Sequence, residues 1–270
     1  MTGKTLRQVL LHAAAVLMAL WVLIPIYFIA VAAFSPQAAI YDYPKPLAPT
    51  ELSTDTIAFF LGSAGVVESF VGSVVVAFST LVLAVAIGTP AGYALARFRF
   101  RGANLFRLLI VSTRAFPIVI LAIPLAVTFI RLGIDDTYFG VSLMHTALAL
   151  PFTVLVTASV FAGISQELEE AAMTLGCNRF GAFRKVVLPL AIPGLAAAAI
   201  FTWIISWNEV FAASVLTIRN RTLPAQVLAV LNQSPIPFRF AGGFFMLAPA
   251  LVVIFVIRRY LFSLWGRVAR

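Results

Sequence analysis

Along the chain, long uninterrupted apolar runs alternate with short polar segments that hold nearly all the charge. No charged residue occurs between Arg7 and Asp42, Glu68 and Arg97, Asp136 and Glu167, or Lys185 and Glu209, and a shorter such run joins Arg239 to Arg258. Another apolar stretch, about Leu108 to Ile130, carries only Arg114. A membrane-spanning helix needs about 20 mostly apolar residues. The pattern therefore predicts six, at roughly 10–33, 70–96, 107–131, 140–163, 190–217 and 242–263. Strands of a membrane barrel alternate in polarity over about 9–11 residues, and these runs do not. Pro25, Pro90, Pro117, Pro124, Pro151, Pro193 and Pro249 fall inside the spans, which predicts kinked helices whose freed carbonyls are met by neighbours. Gly88, Gly92 and Ala196 to Ala199 predict close helix contacts.

Composition agrees with this picture. With 62% hydrophobic and 11% charged residues, the chain is far from the roughly 45–50% and 25% of a soluble domain, which excludes a water-soluble enzyme. The formal charge of +9 suggests nucleic acid until the charges are placed. Lys4, Arg7, Arg97, Arg99, Arg101, Arg107, Arg179, Arg184, Lys185, Arg258, Arg259, Arg267 and Arg270 all fall on one side of a six-span topology. Only Lys45, Arg131, Arg219, Arg221 and Arg239 fall on the other. The positive-inside rule then predicts cytoplasmic N- and C-termini in a multi-pass membrane protein, and nucleic-acid binding drops out. The first span follows Lys4 and Arg7 as a signal peptide would, but its apolar run is too long for one, and it is read as an uncleaved helix. A single cysteine, Cys177, rules out an internal disulfide and a cysteine-rich metal site.

One loop on the basic side breaks the charge rule. Residues 165–176 read Ser-Gln-Glu-Leu-Glu-Glu-Ala-Ala-Met-Thr-Leu-Gly. Ser165 suits an N-cap, the acids suit the first turns, and Gly176 suits a left-handed stop. Leu168, Ala171, Ala172 and Leu175 are spaced to share one helix face. Such a helix either lies on the membrane or seats in a protein groove. Membrane-surface helices carry Lys and Arg on their polar face, whereas this one carries acids.

At these residues the chain resembles a known family. Glu170-Ala171-Ala172, Gly176 after three intervening residues, and Val186-Val187-Leu188-Pro189 after nine more are similar to the "EAA" loop of binding-protein-dependent ABC importer permeases, with Val186 in place of Ile. Pro90, Tyr93-Ala94-Leu95-Ala96-Arg97, Phe100 and Gly102 resemble the second helix of the carbohydrate, maltose-transporter-like group. Phe116-Pro117 with Ile123-Pro124, Trp207-Asn208-Glu209 and Thr222-Leu223-Pro224 resemble later parts of the same group. Gly72-Ser73 stands where these relatives usually have Asn-Ser, and Leu175 where many have Asp.

The resemblance implies an all-α type I ABC importer permease fold: a single domain over 1–270, with a cytoplasmic coupling helix in the 165–189 loop between helices 4 and 5. It implies that Glu170, Ala171, Ala172, Gly176, Leu188 and Pro189 couple to an ATPase. The implied partners are a second homologous permease, two ATP-binding cassette ATPases and an extracytoplasmic solute-binding protein, in a bacterial inner membrane. The chain itself would bind no cofactor, ATP and Mg residing on the ATPase. Gly3-Lys4-Thr5 lacks the preceding glycine of a phosphate loop, and no zinc-type motif is present.

Charges inside a span are functional candidates because burial there costs at least about 2.5–3.5 kcal/mol. Arg114 either snorkels toward the cytoplasmic surface from near Arg107 or serves function. Trp207, Asn208 and Glu209 either line a sugar path, through ring stacking and hydroxyl hydrogen bonds, or belong to an internal network. His145 is expected to pack within the bundle or bridge helices rather than hold a metal. A sugar importer subunit is the leading reading. The alternatives are the same mechanism for an amino acid, polyol or phosphate ester, or a stand-alone secondary transporter.

Overall fold

The computed structural model describes residues 3–44, 46–49 and 51–268, so Lys45 and Arg270 of the charge pattern lie outside the described residues. Among these residues the regular structure is helical. In chain order it comprises α1 (Gly3–Ala33), a 3-10 turn (Ala38–Tyr41), α2 (Asp55–Leu61), α3 (Val66–Arg97), α4 (Ala103–Thr113), α5 (Ile118–Leu132), α6 (Tyr138–Ala162) and α7 (Gln166–Thr174). Then come α8 (Arg179–Ala182), a π turn (Phe183–Val187), α9 (Leu188–Trp207), α10 (Phe211–Leu216), α11 (Leu223–Val230) and α12 (Ile236–Val268). Among the described residues five helices are long and apolar enough to cross a membrane, and α4 with α5 forms a sixth candidate.

That sixth candidate corrects the expectation of one helix over 107–131. α4 and α5 are bent 88° from one another. Pro117 has no N–H and biases Phe116 away from helical backbone. It adopts φ −59°, ψ 130° and begins a new helix. The span expected over 190–217 is also divided. α9 stops at Trp207, and the Glu209 carboxylate then accepts the N–H groups of Ala212 (2.9 Å) and Ala213 (3.1 Å), satisfying the first donors of α10. Glu209 therefore sits in a turn between two helices. At its other end this apolar helical run starts at Arg179, earlier than expected. Pro189 and Pro193 each remove a helical N–H, and the widened turn at Phe183–Val187 ends two residues before Pro189.

The chain forms two compact units. In residues 1–67 with 230–249, α2 is tied to the end of α1: Thr56 Oγ1 donates to the Ser35 carbonyl at 2.9 Å. Phe60, fully buried, packs on Phe238 and Phe245 of α12, with ring centroids 4.9 and 5.4 Å away. Upstream, most of α1 is exposed, Trp21 at 83%. Such a surface belongs against lipid or another apolar span.

In residues 68–229 with 250–270, α6 is the central element. A Cβ on Gly92 would overlap Thr157 and the backbone of Ala158, and one on Gly194 would overlap Val160, so these glycines set how closely α3 and α9 approach α6. In hydrocarbon, polar side chains must find partners inside the protein. Thr157 Oγ1 accordingly donates to the Gly88 carbonyl (2.9 Å), and the Thr153 and Thr202 hydroxyls pair at 2.8 Å. Near the opposite ends of these helices, Ser73 Oγ accepts the Leu223 N–H at 2.7 Å.

Candidate functional site

The loop between α6 and α9 is shaped by local rules at both ends of α7. Ser165 Oγ accepts the Glu167 N–H at 3.2 Å. At the other end Gly176 takes φ +92°. Its N–H donates to the Met173 carbonyl (3.0 Å) and that of Cys177 to the Ala172 carbonyl (3.1 Å), the two bonds of a Schellman stop. Asn178 Oδ1 then caps α8, accepting the Gly181 N–H at 2.7 Å.

The four residues expected to share one apolar face of α7 are divided between inside and outside. Glu169 and Ala172 are buried, whereas Leu168 (46%) and Leu175 (87%) are exposed. Ala171 and Glu170 are also exposed. The predicted apolar face is thus divided, with Ala172 turned to its own chain and Leu168, Ala171 and Leu175 outward. Of the other motif residues, Pro189 is exposed and Leu188 packs on the cluster of Phe161, Val187, Ala191 and Leu195.

What holds α7 inward is a long-range ion pair. Glu169 Oε2 accepts from Arg97 Nε at 3.0 Å, with each side chain only 7% exposed. Glu169 Oε1 accepts the Tyr93 hydroxyl. A second Arg97 nitrogen donates to the Ile164 carbonyl, just past α6, at 2.9 Å. The Tyr93 ring meets Phe161 and Phe183 edge-on at 5.5 and 4.6 Å, and Arg179 lies 5.5 Å over Phe98. Sequence reasoning did not assign Glu169, Tyr93 or Arg97 to the site. Nothing in the spacing of Glu167, Glu169 and Glu170 distinguished Glu169, because its partners Tyr93 and Arg97 lie on a distant helix.

The second candidate group does not converge. Trp207 is buried, stacked on Trp203 at 5.0 Å and edge-on to Phe70 at 5.9 Å. Asn208 is exposed and donates back to the Ile204 carbonyl at 2.9 Å. Glu209 faces α10 and His145. His145 links α6 to Ser206 (2.8 Å) and Glu209 (3.1 Å), the bridging place expected for it. Arg114 ends α4 with its guanidinium 5.8 Å above the Phe152 ring. Phe152 is ten residues from the end of α6, about 15 Å along the axis.

At the other end of this unit Asp136, at φ 48°, fastens two loops. Its Oδ1 accepts the N–H groups of Ile218, Arg219 and Asn220 at 2.9–3.0 Å. Burial pushes its carboxyl up, but those backbone bonds outweigh it and hold the group below the usual range.

Residues 88–265 match the family described as "Binding-protein-dependent transport system inner membrane component". A probable ABC transporter permease protein of Bacillus subtilis is 30% identical over 89% of this chain and 84% of its own length. The diacetylchitobiose uptake system permease protein of Streptomyces coelicolor is 30% identical over 92% of this chain and 84% of its own. The trehalose transport system permease protein of Mycobacterium tuberculosis is 29% identical over 88% and 89%. Among solved structures, a bacterial ABC transporter involved in import of the acidic polysaccharide alginate superposes with TM-score 0.76 at 24% identity, covering 96% of this chain and 98% of that one. The methionine ABC transporter MetNI superposes at 0.60 and 21% identity, over 73% and 95%.

Proposed function

The chain belongs to the family of binding-protein-dependent transport system inner membrane components, and on that premise we propose that it is one of two permease subunits in an ATP-driven carbohydrate importer. The observation that carries the coupling is the outward face of α7. Ala171 and Leu175 form a small apolar surface bordered by Glu170, on a helix bonded to the bundle behind it. Small side chains allow close seating in a groove, and Glu170 offers a carboxylate to a basic group on the partner.

In this reading the N- and C-termini and α7 are cytoplasmic, in line with the basic residues on that side, and the membrane is the bacterial inner membrane. Two ATPases bind ATP and Mg, and their closure and separation displace α7 of each permease. The paired bundles alternate between inward-open and outward-open forms. The permease binds no cofactor itself, and a solute-binding protein delivers the sugar outside. Carbohydrate is favoured because relatives similar over most of their length are named for trehalose and diacetylchitobiose.

For the solute path, Asn208 is the one member of the predicted trio with an exposed side chain. Trp207 and Glu209 support it from inside the bundle. The test is the ATPase rate of the reconstituted complex across a panel of sugars and amino acids with its binding protein. Stimulation by one or a few sugars is expected; stimulation by amino acids alone overturns the carbohydrate assignment.

A further inference from the structure

The motif acid Glu170 faces outward, and the acid beside it points into the protein. Both Glu169 oxygens are committed to α3, one to Tyr93 and one to Arg97. The same guanidinium holds the Ile164 carbonyl beyond α6, so one side chain ties α3, α6 and α7 together. Tyr93 is wedged against Phe161 and against Phe183 in the π turn that leads into α9. α7 itself has nine residues and is joined to the bundle by a tight turn at each end. At the far end of α3, Ser73 is bonded to the first residue of α11.

We propose that the Arg97–Glu169 pair is the strut through which displacement of α7 moves α3, which makes Glu169 and Arg97 positioning residues of the transport cycle. This rests on the importer reading above and deepens it. When the ATPases part they pull α7 outward, and a hydrogen-bonded ion pair resists that pull. At 7% exposure on each side the pair is little weakened by salt. Tension at Arg97, the last residue of α3, passes along a continuous helix to Ser73 and the α11 loop.

Removing one partner leaves a buried charge and endangers folding, so the informative variant replaces both. Buried ion pairs exchanged for apolar residues of similar volume commonly keep the fold. Arg97→Met with Glu169→Leu is expected to insert normally and to co-purify with the ATPases. Sugar taken up per ATP hydrolysed, in proteoliposomes of the whole complex, is expected to fall by about tenfold or more, the scale of an ordinary coupling free energy. The exchanged pair Arg97→Glu with Glu169→Arg is expected to recover part of the coupling, and neither reversal alone to do so. Wild-type uptake per ATP in the apolar double variant overturns the strut, as does loss of ATPase co-purification, which would make the pair part of the docking surface. If the unmodified complex performs no ATP-driven sugar uptake, the importer reading falls and the strut falls with it. Coupling in the unmodified complex with equal coupling in the double variant removes the strut alone.

Discussion

His145 Nε2 lies 3.1 Å from the Glu209 carboxylate, joining the first third of α6 to the turn between α9 and α10. The other ring nitrogen reaches Ser206 Oγ at 2.8 Å, so the imidazole satisfies two partners at once. His145→Ala removes both bonds, though Ser206 keeps Thr80 and Glu209 keeps the Ala212 and Ala213 N–H groups, and each lost hydrogen bond is worth about 0.5–1.5 kcal/mol. Glu209→Gln keeps the side-chain volume and one oxygen, enough for one of the Ala212 and Ala213 N–H groups, and is expected to be milder. Thermal unfolding in detergent ranks the two; an unchanged midpoint for His145→Ala excludes a bridging role.

Gly176→Val forces a side chain into a left-handed conformation, at roughly 1–2 kcal/mol or more for a branched residue. Nothing lies within 4 Å of the added Cβ, so the strain is in the backbone alone. Glu170→Lys, on an exposed side chain, is expected to change stability by less than about 0.5 kcal/mol. Both variants are expected to insert in the membrane yet lose uptake, and the second to bind ATPase poorly. Normal uptake by both would remove α7 as the coupling element.

Asp136 gives a pH dependence with a definite sign. Its carboxyl is held low in the folded protein by the backbone N–H groups of Ile218, Arg219 and Asn220, against the opposing effect of burial. Its stabilisation is therefore complete above the unfolded value near 3.9 and is lost as pH falls through the lower folded value. Asp136→Asn is expected to be less stable than wild type at neutral pH and to converge with it in acid. Unfolding midpoints measured from neutral pH down to about pH 3 show this; a constant gap across the range contradicts it.

Cys177, the single cysteine, is half-buried beside the α7 stop and serves as a built-in reporter of sidedness. A membrane-impermeant maleimide is expected to label it in inverted vesicles and not in intact spheroplasts. Added ATPase subunits are expected to slow the labelling. Labelling from outside would reverse the proposed orientation.

Much of this protein was legible as sequence because the relevant physics is local. A stretch of about 20 apolar residues can satisfy its backbone in hydrocarbon only as a helix, whatever surrounds it. The ends of α7 depend on Ser165 and Gly176, each acting within a few residues of itself. The break at Phe116-Pro117 was also written locally, but a proline within a span is compatible with either a kink or a break, and only the folded chain showed an 88° bend. The division at Glu209 depended on whether that carboxylate faces solute or caps a helix, and periodicity is silent on that.

The orientation of α7 was beyond sequence reasoning altogether. Its 3.6-residue pattern placed Leu168, Ala171, Ala172 and Leu175 together as the apolar face. The inward side was instead chosen by Tyr93 and Arg97, 76 and 72 residues away from Glu169. A nine-residue helix carries too little apolar surface to orient itself, so one buried ion pair from a distant helix decided which side faces the bundle and which remains open to a partner.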